Sequence, residues 1–378
     1  MTEANGTRRI ETVIIGAGQS GLSTGYHLAK RERDFVILDA NARVGDNWRC
    51  HWDTLRLYSP ARMEGLPGMR FPAPRMAYPT KDEMADYLES YATTFDLPVR
   101  TGVTVTGLSR VDGEYVVRTN GPSYVCDNVV VASGTFGRTP YVPDFAAGLD
   151  PAIRQLHSSE YKNPSGLLPG GVLVVGASHS GGDIAYEVAK AGHPTVLSGH
   201  INGELPFDIN RRPAYAIAPV LFFLAQHVLT LRTPIGRKLR EEIRHHGGPL
   251  IRVKRADLVA AGAELAEDRT VGVRDGRPML ADGRVLDVTN VVWCTGFRQD
   301  FSWIDLPVIG DNGWPLEQRG VVSSAPGLYF TGLAFQYAFS SMLVGGAGRD
   351  AKYVVRHMLS RKRAPLAASY AGGRELDS

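Results

Sequence analysis

Gly16-Ala-Gly-Gln-Ser-Gly21 and Gly176-Ala-Ser-His-Ser-Gly181 are two copies of one glycine-rich turn. Each follows a short apolar run of strand character, Glu11-Thr-Val-Ile-Ile15 and Gly171-Val-Leu-Val-Val175. Each then opens a helical pattern, Leu22 to Lys30 and Asp183 to Lys190. Strand, tight turn and helix in that order present the amides of the helix N-terminus to a pyrophosphate. Gly16 permits the turn, Gly18 removes the side chain where phosphate must approach, and Gly21 lets helix and strand pack closely. Gln19 and Ser20 complete the first turn; Ser178, His179 and Ser180 complete the second between Gly176 and Gly181. Two such turns predict two dinucleotide sites with electrons passing between them, and so a flavoenzyme.

The organisation follows outward from these turns. Asp34-Phe-Val-Ile-Leu38 reads as the second strand and ends in Asp39, about 20 residues beyond the first turn, where a carboxylate binds both hydroxyls of an adenosine ribose. The same charge repels a 2′-phosphate, so the first site suits FAD or NAD. A long loop, 41–79, is crowded with Pro, Gly, Trp, Tyr and Met, and loops of that length are usually functional. Lys81 to Thr94 reads as a helix capped by Thr80, with Glu83 at the capping-box position. Short strands are expected near 103–105, 114–118 and 124–131, the last ending in Ala132-Ser-Gly-Thr-Phe-Gly137 with Gly134 able to approach a ligand. Residues 140–169 read as a linker with little periodicity. Asn290-Val-Val-Trp-Cys-Thr-Gly296 mirrors Asn128-Val-Val-Val-Ala-Ser-Gly134. A strand at 327–330, the turn Thr331-Gly332 and a helix near 347–361 close the chain. The expected fold is α/β, with two Rossmann-like dinucleotide-binding domains and the NAD(P)H domain inserted into the FAD domain. The expected boundaries are 1–160 and 290–378 for FAD and 161–289 for NAD(P)H.

Bulk properties narrow the function. Apolar content of 43% and charged content of 21% are those of an ordinary globular protein, and a net charge of +3 argues against a nucleic-acid role. The basic stretch 237–255 also carries Glu241 and Glu242 and reads as a solvated helix face followed by a strand. Cys50, Cys126 and Cys294 form no C-x-x-C pair, so neither a redox disulfide nor a zinc site is expected. Free cysteines and a short polar opening, 1–9, point to the cytoplasm. Ala214 to Leu231 is apolar but contains Pro219, Gln226, His227 and Thr230. It reads as a buried helix pair or lid over the active site, with a membrane-touching helix or a true span as the alternatives.

The chain resembles the flavin-containing (class B) monooxygenases, and within them a bacterial group described as flavoproteins involved in cation or potassium transport. It is also similar to the plant auxin-biosynthesis monooxygenases. The likeness runs from Val13 to about His357. It rests on the first glycine turn, Arg43-Val-Gly-Asp-Asn-Trp48, Trp52-Asp-Thr-Leu-Arg-Leu-Tyr-Ser-Pro60, His157-Ser-Ser-Glu-Tyr-Lys162, Ser178 of the second turn and Cys294-Thr-Gly296. The front half of the linker fingerprint departs from the family, since Phe145 and Gly148 stand at altered spacing.

The resemblance implies FAD together with NADPH or NADH, and O2 with a small, apolar organic substrate that receives one oxygen atom through a flavin (hydro)peroxide. It implies that Arg43, Trp48 and the loop from Trp52 to Tyr58 lie at the flavin. Val103 would meet the adenine through its backbone, and Thr295, Gly296, Gly332, Gln336 and Ser340 would lie along the cofactors. Tyr58 stands where many members carry Asn, and a phenol does not reproduce a carboxamide's paired donor and acceptor. Asp53 and Tyr58 are the expected polar groups near the reacting oxygen. His51 and His179 are further candidate proton carriers, with a pocket-wall role preferred for His179. Ser198 and His200 stand where members that favour NADPH often have Arg, which implies relaxed choice between NADPH and NADH. An NAD(P)H oxidase or reductase, a Baeyer–Villiger enzyme and a redox-sensing regulator of a cation transporter are the rival readings. A homodimer is the expected assembly.

Overall fold

The computed structural model describes residues 6–135, 139–205, 209, 212–245 and 247–361. β1 (Arg8–Ile15), β2 (Phe35–Leu38), β3 (Val99–Arg100), β4 (Val105–Val111), β5 (Glu114–Thr119) and β6 (Tyr124–Val131) build one sheet in the order β3-β2-β1-β6-β5-β4. β3, β2, β1 and β6 run parallel, and β4 to β6 form an antiparallel meander. The parallel strands are apolar on both faces because both faces are covered. Ile14, Ile37 and Val130 enter one core, whereas Val13, Ile15, Val36, Leu38, Val129 and Val131 enter the other. α1 (Gln19–Ala29), α2 (Asp46–Arg49) and α3 (Lys81–Thr94) belong to this unit. α3 begins where expected: Thr80 Oγ1 accepts the Glu83 amide at 3.1 Å, and the Thr80 amide donates to Glu83 Oε2 at 2.7 Å.

After β7 (Thr139–Pro140) the chain enters a second sheet. β8 (Arg154–His157), β9 (Val172–Val175), β10 (Thr195–Ser198), β11 (Ala263–Ala266) and, after the hairpin β12 (Thr270–Arg274) and β13 (Arg277–Leu280), β14 (Asn290–Trp293) lie parallel in the order β11-β10-β9-β14-β8. β15 (Phe297–Arg298) pairs with β7, and β16 (Leu328–Phe330) rejoins the first sheet beside β6. α4 (His179–Lys190), α5 (Arg212–Phe223), α6 (Pro234–His245) and α7 (Arg255–Ala260) belong to the insertion, and α8 (Val344–Ser360) packs against α1.

The second sheet therefore starts at Arg154 and ends at Trp293, beyond the expected limits of 161 and 289 on both sides. The sequence mirror explains the later limit. β14 stands beside β9 as β6 stands beside β1, and the Cys294 and Ala132 amides each donate at 2.8 Å to the end of their neighbouring strand.

The apolar segment after residue 214 is neither a span nor fully buried. Among the described residues, no helix is long and apolar enough to cross a membrane. α5 contains Pro219 and runs into a π-turn over Leu224–Val228, where the Leu229 amide reaches Leu224 O at 2.8 Å. Ala225 is buried on its inner side, but Val220 and Phe223 are each 57% exposed. The segment ends by pairing with 337–339, through Leu231 N to Tyr337 O and Phe339 N to Leu229 O, both 2.9 Å.

Candidate active site

The two turns are built alike. Gly16 and Gly176 both have φ +108°, a conformation that disfavours any other residue. A Cβ on either would collide with the carbonyl of the neighbouring central strand, at 2.6 Å from Ala132 O or 2.4 Å from Cys294 O. A Cβ on Gly21 would lie 1.8 Å from Gly16 O, and one on Gly181 1.7 Å from Gly176 O. Gly134 and Gly296, at the ends of the mirrored strands, share φ +80°. The helices α1 and α4 begin with no side chain capping their first amides.

The first turn has the cradle a dinucleotide needs. Nothing lies within 4 Å of a Cβ on Gly18, so space remains open over the amides of Gln19 and Ser20. Asp39 directly follows β2 and is buried; its Oδ2 accepts the Ala17 amide at 2.6 Å, which ties the carboxylate to the turn. Oδ1 is held by Asn41, and Val103 N donates to Asp39 O at 2.9 Å. Gly332 approaches so closely that a Cβ would lie 2.5 Å from Ser20 Oγ. Thr135 bridges the two arms of this unit, donating to Gly332 O at 3.1 Å and accepting Ala334 N at 2.6 Å. The hydroxyls of Thr331 and Ser340 are buried without a partner among the described residues, which leaves polar atoms available to a bound group. These features fit a flavin dinucleotide. Phe136 and Gly137 of the expected ligand-approaching segment lie outside the described residues.

Several expected cofactor contacts turn elsewhere. Arg43 is exposed and forms a bidentate pair with Glu89 at 2.6 and 2.7 Å; the neighbouring acids of α3 attract its charge outward. Gln336 is buried, but its Nε2 donates to Phe330 O at 2.7 Å and its Oε1 accepts Leu333 N, so it braces the turn after β16. Ser198 points into the sheet, where Oγ bonds Asp268 O at 2.9 Å and Thr270 Oγ1 at 2.8 Å. His200 is the exposed residue at that end, within the field of Glu267, which is itself paired with Arg255 at 2.5 Å. Thr295 donates to Tyr141 O.

At the second turn a loop of glycines closes on the helix N-terminus. Ser178 Oγ donates to Gly248 O at 3.0 Å, and a Cβ on Gly248 would lie 2.7 Å from the His179 ring. His179 Nε2 is buried with no partner among the described residues, and burial pushes the ring's pKa down to about 4. The imidazole is therefore neutral at pH 7, a wall with one open polar atom. His51 is likewise pushed down to about 4 by burial, with Lys162 and Lys81 adding to the effect.

The loop expected at the flavin reaches across to α4. Tyr58 Oη donates to Asp183 Oδ2 at 2.9 Å, Thr54 Oγ1 to Glu187 Oε2 at 2.5 Å, and Tyr161 Oη to Glu187 Oε1 at 3.4 Å. Arg252 lies 5.5 Å from the Tyr58 ring centre and donates to Arg56 O and Leu57 O. Burial pushes Asp183 up to about 6 against the pull of Arg252 and the Tyr58 bond. Burial and the facing carboxylate hold the Tyr58 phenol well above its usual range. Asp53, expected beside Tyr58, is instead exposed and accepts Asn163 Nδ2 at 2.6 Å, because its turn lies on the outer side of the loop. His157 Nε2 donates to Gly296 O (3.0 Å) and its Nδ1 accepts from Ser159 Oγ (2.8 Å), so the linker fingerprint fastens β8 to the turn after β14. Trp48 packs against the cores of both units, and Trp52 is buried with its Nε1 unpaired among the described residues.

Asp183 and Glu187 were not singled out from the sequence. Acids at i and i+4 read as a solvated face, and only their distant hydroxyl partners show otherwise. Tyr58→Phe and Asp183→Asn, combined in a double-mutant cycle on unfolding, are expected to couple by about 1–3 kcal/mol. Additive effects would mean that this bond does not join the two units.

The sequence profile of the pyridine nucleotide-disulphide oxidoreductase family matches residues 13–223. An uncharacterized CzcO-like oxidoreductase of Geobacillus kaustophilus is 38% identical over 93% of this chain and 99% of its own length. The flavin-containing monooxygenase of Stenotrophomonas maltophilia superposes with a TM-score of 0.74 at 26% identity, over 93% of this chain and 99% of that one. The chain belongs to the class B flavoprotein monooxygenase family. Probable indole-3-pyruvate monooxygenase YUCCA7 of Arabidopsis thaliana is also similar, at 29% identity over 90% of this chain and 86% of that protein. The monooxygenase is thus a flavin-dependent oxidoreductase with FAD and a nicotinamide dinucleotide as cofactors. Its three cysteines are free, and burial pushes Cys126 and Cys294 up to about 12.

Proposed function

We propose that this monooxygenase uses NADPH and O2 to insert one oxygen atom into a small, apolar organic substrate, with FAD on the first turn and NADPH on the second. The observation that carries this reading is the pair of like-built turns joined through Tyr58, Asp183, Thr54 and Glu187. Asp39 would hold the adenosine ribose of FAD, Val103 the adenine edge through its backbone, and the amides of Gly18, Gln19 and Ser20 the pyrophosphate. Gly134 and Gly332 let backbone approach the same group, and Trp48 with the Trp52–Tyr58 loop walls the flavin end. Ser178, His179, Ser180 and Gly181 would receive the NADPH pyrophosphate, with Thr295 and Gly296 lining that side. The nicotinamide unit is assigned to Arg154–Trp293.

Bound flavin supplies hydride acceptance from the nicotinamide and reduction of O2, with one oxygen atom passing to the substrate and one to water. The chain's own task is to orient both cofactors and keep water out. Tyr58 commits its proton to Asp183, so it serves as a positioning residue between the units. That commitment also favours a second reading, an NAD(P)H oxidase that releases both oxygen atoms without insertion. Turnover under ¹⁸O2 with a panel of apolar thioethers, amines and ketones separates the two. Label in an organic product supports insertion; NADPH consumption matched by peroxide release with no labelled product refutes it.

Cofactor choice follows from His200. An imidazole cannot offer the paired donors with which a bidentate guanidinium recognises a 2′-phosphate. The expected preference for NADPH over NADH in kcat/KM is below ~100-fold, about 2.7 kcal/mol. His200→Arg is expected to widen it, and an unchanged ratio would place the 2′-phosphate elsewhere.

A further inference from the structure

α5 and the π-turn after it carry an apolar face with no protein partner among the described residues. Ile217, Val220, Leu221, Leu224 and Val228 recur at helical spacing and are 36–57% exposed. The opposite side of the same helix is accounted for: Ala225 is buried, and Pro219 and Phe222 line a cavity of about 600 Å³ with Met63, Leu66 and Met69. Isolated exposed apolar residues need no explanation, but a contiguous row marks an interaction surface.

The charge pattern selects the occupant. From Ile209 through Arg240 all six charged residues are cations, before Glu241 and Glu242 follow on α6, in a chain whose total net charge is only +3. Arg232, Arg237 and Lys238 are exposed directly after the apolar row, and Ile235, 60% exposed, extends it among them. On the other flank, Arg62 and Arg70 are exposed at the cavity that Pro219 and Phe222 line. The helix has 12 residues and then a five-residue π-turn, too short to span a bilayer of about 20 helical residues. A short apolar face ringed by cations suits the interfacial plane of an anionic bilayer, with the apolar side chains at the acyl boundary and the cations at the headgroups.

We infer that the α5 face docks the enzyme on anionic phospholipid membranes, with the cavity behind Phe222 opening beside the membrane surface. The inference rests on exposed residues that belong to neither glycine turn and needs no turnover, so its failure leaves the proposed chemistry standing.

The test is co-sedimentation of the full-length, FAD-loaded protein with vesicles of phosphatidylcholine alone or of phosphatidylcholine with phosphatidylglycerol. Wild type is expected to bind the anionic vesicles at least ~10-fold better than the neutral ones, and less well as salt rises. Leu221→Glu/Leu224→Glu is expected to abolish binding, and Arg237→Ser/Lys238→Ser to weaken it roughly tenfold or more. Val271→Glu, an equally exposed site on the β12–β13 hairpin, serves as control and is expected to bind as wild type. FAD content and NADPH oxidation without vesicles are expected to be unchanged in all three. Absence of vesicle binding, equal binding to neutral vesicles, or undiminished binding by both face variants would overturn the inference. So would sedimentation showing that wild type is a dimer which Leu221→Glu/Leu224→Glu splits, since a second copy would then cover the face.

Discussion

Gly181→Ala is expected to keep its FAD but to lose reduction by NADPH, at least ~100-fold in the rate at limiting nucleotide, or about 2.7 kcal/mol. The added Cβ would lie 1.7 Å from Gly176 O, a backbone atom that cannot rotate away. Helix α4 must therefore shift off β9, and its first amides move with it. A misplacement of about 1 Å in a positioning element is enough to cost ~100-fold. The first unit has its own sheet and cores, so its cofactor stays. Gly21→Ala is the mirror experiment, with a clash of 1.8 Å against Gly16 O, and is expected to yield protein without FAD. Gly18→Ala refines the pair. Its Cβ meets nothing within 4 Å, so the fold should be indifferent while FAD binding falls, because the methyl enters the space kept for the pyrophosphate. Loss of FAD from Gly181→Ala with retention in Gly21→Ala would reverse the assignment of the two turns.

Glu64→Gln is expected to stabilise the enzyme above neutral pH. Glu64 is 2% exposed, its carboxylate is met by the Ser59 hydroxyl, and burial pushes it up to about 7 from 4.5. A carboxyl raised in the folded state favours the protonated form. Its contribution is complete below the unfolded value near 4.5 and disappears as pH rises through about 7. At 1.36 kcal/mol per pKa unit, the charged form costs the fold about 3 kcal/mol at pH 8. Other groups titrate over the same range, so the informative quantity is the difference between wild type and Glu64→Gln. Relative to wild type, the variant should gain about 3 kcal/mol between pH 4.5 and pH 8 in denaturant unfolding. A pH-independent difference would mean that Glu64 is solvated or paired in the folded protein.

What the sequence disclosed was local. The glycine turns were legible because their geometry forbids side chains at fixed offsets, and the same prohibition recurs in both copies. Thr80 and Glu83 announced α3, since a capping box needs only residues three apart. Asp39 was placed by the end of an apolar strand. What stayed hidden depends on partners far along the chain. Arg154-Gln-Leu-His157 has no alternation and becomes a strand only by lying beside β14. Ser198 and His200 stand two residues apart, yet Ser198 ends β10 turned toward Thr270, while Gly199, at φ +128°, breaks the strand and leaves His200 outside. Asp183 and Glu187 became an inter-unit joint only because hydroxyls of residues 54, 58 and 161 arrive opposite them.

The most direct test of the two-cofactor account is stopped-flow spectroscopy of the FAD-loaded protein, mixed first with NADPH without oxygen and then with O2. The account predicts bleaching of the flavin by NADPH, followed on oxygenation by a transient near-ultraviolet species distinct from oxidised and reduced flavin that decays faster when a substrate is present. Failure of NADPH or NADH to bleach the flavin would contradict the account at its root. Reduction followed by direct return of oxidised flavin and peroxide, whatever substrate is present, would retain the two sites and remove the oxygen insertion.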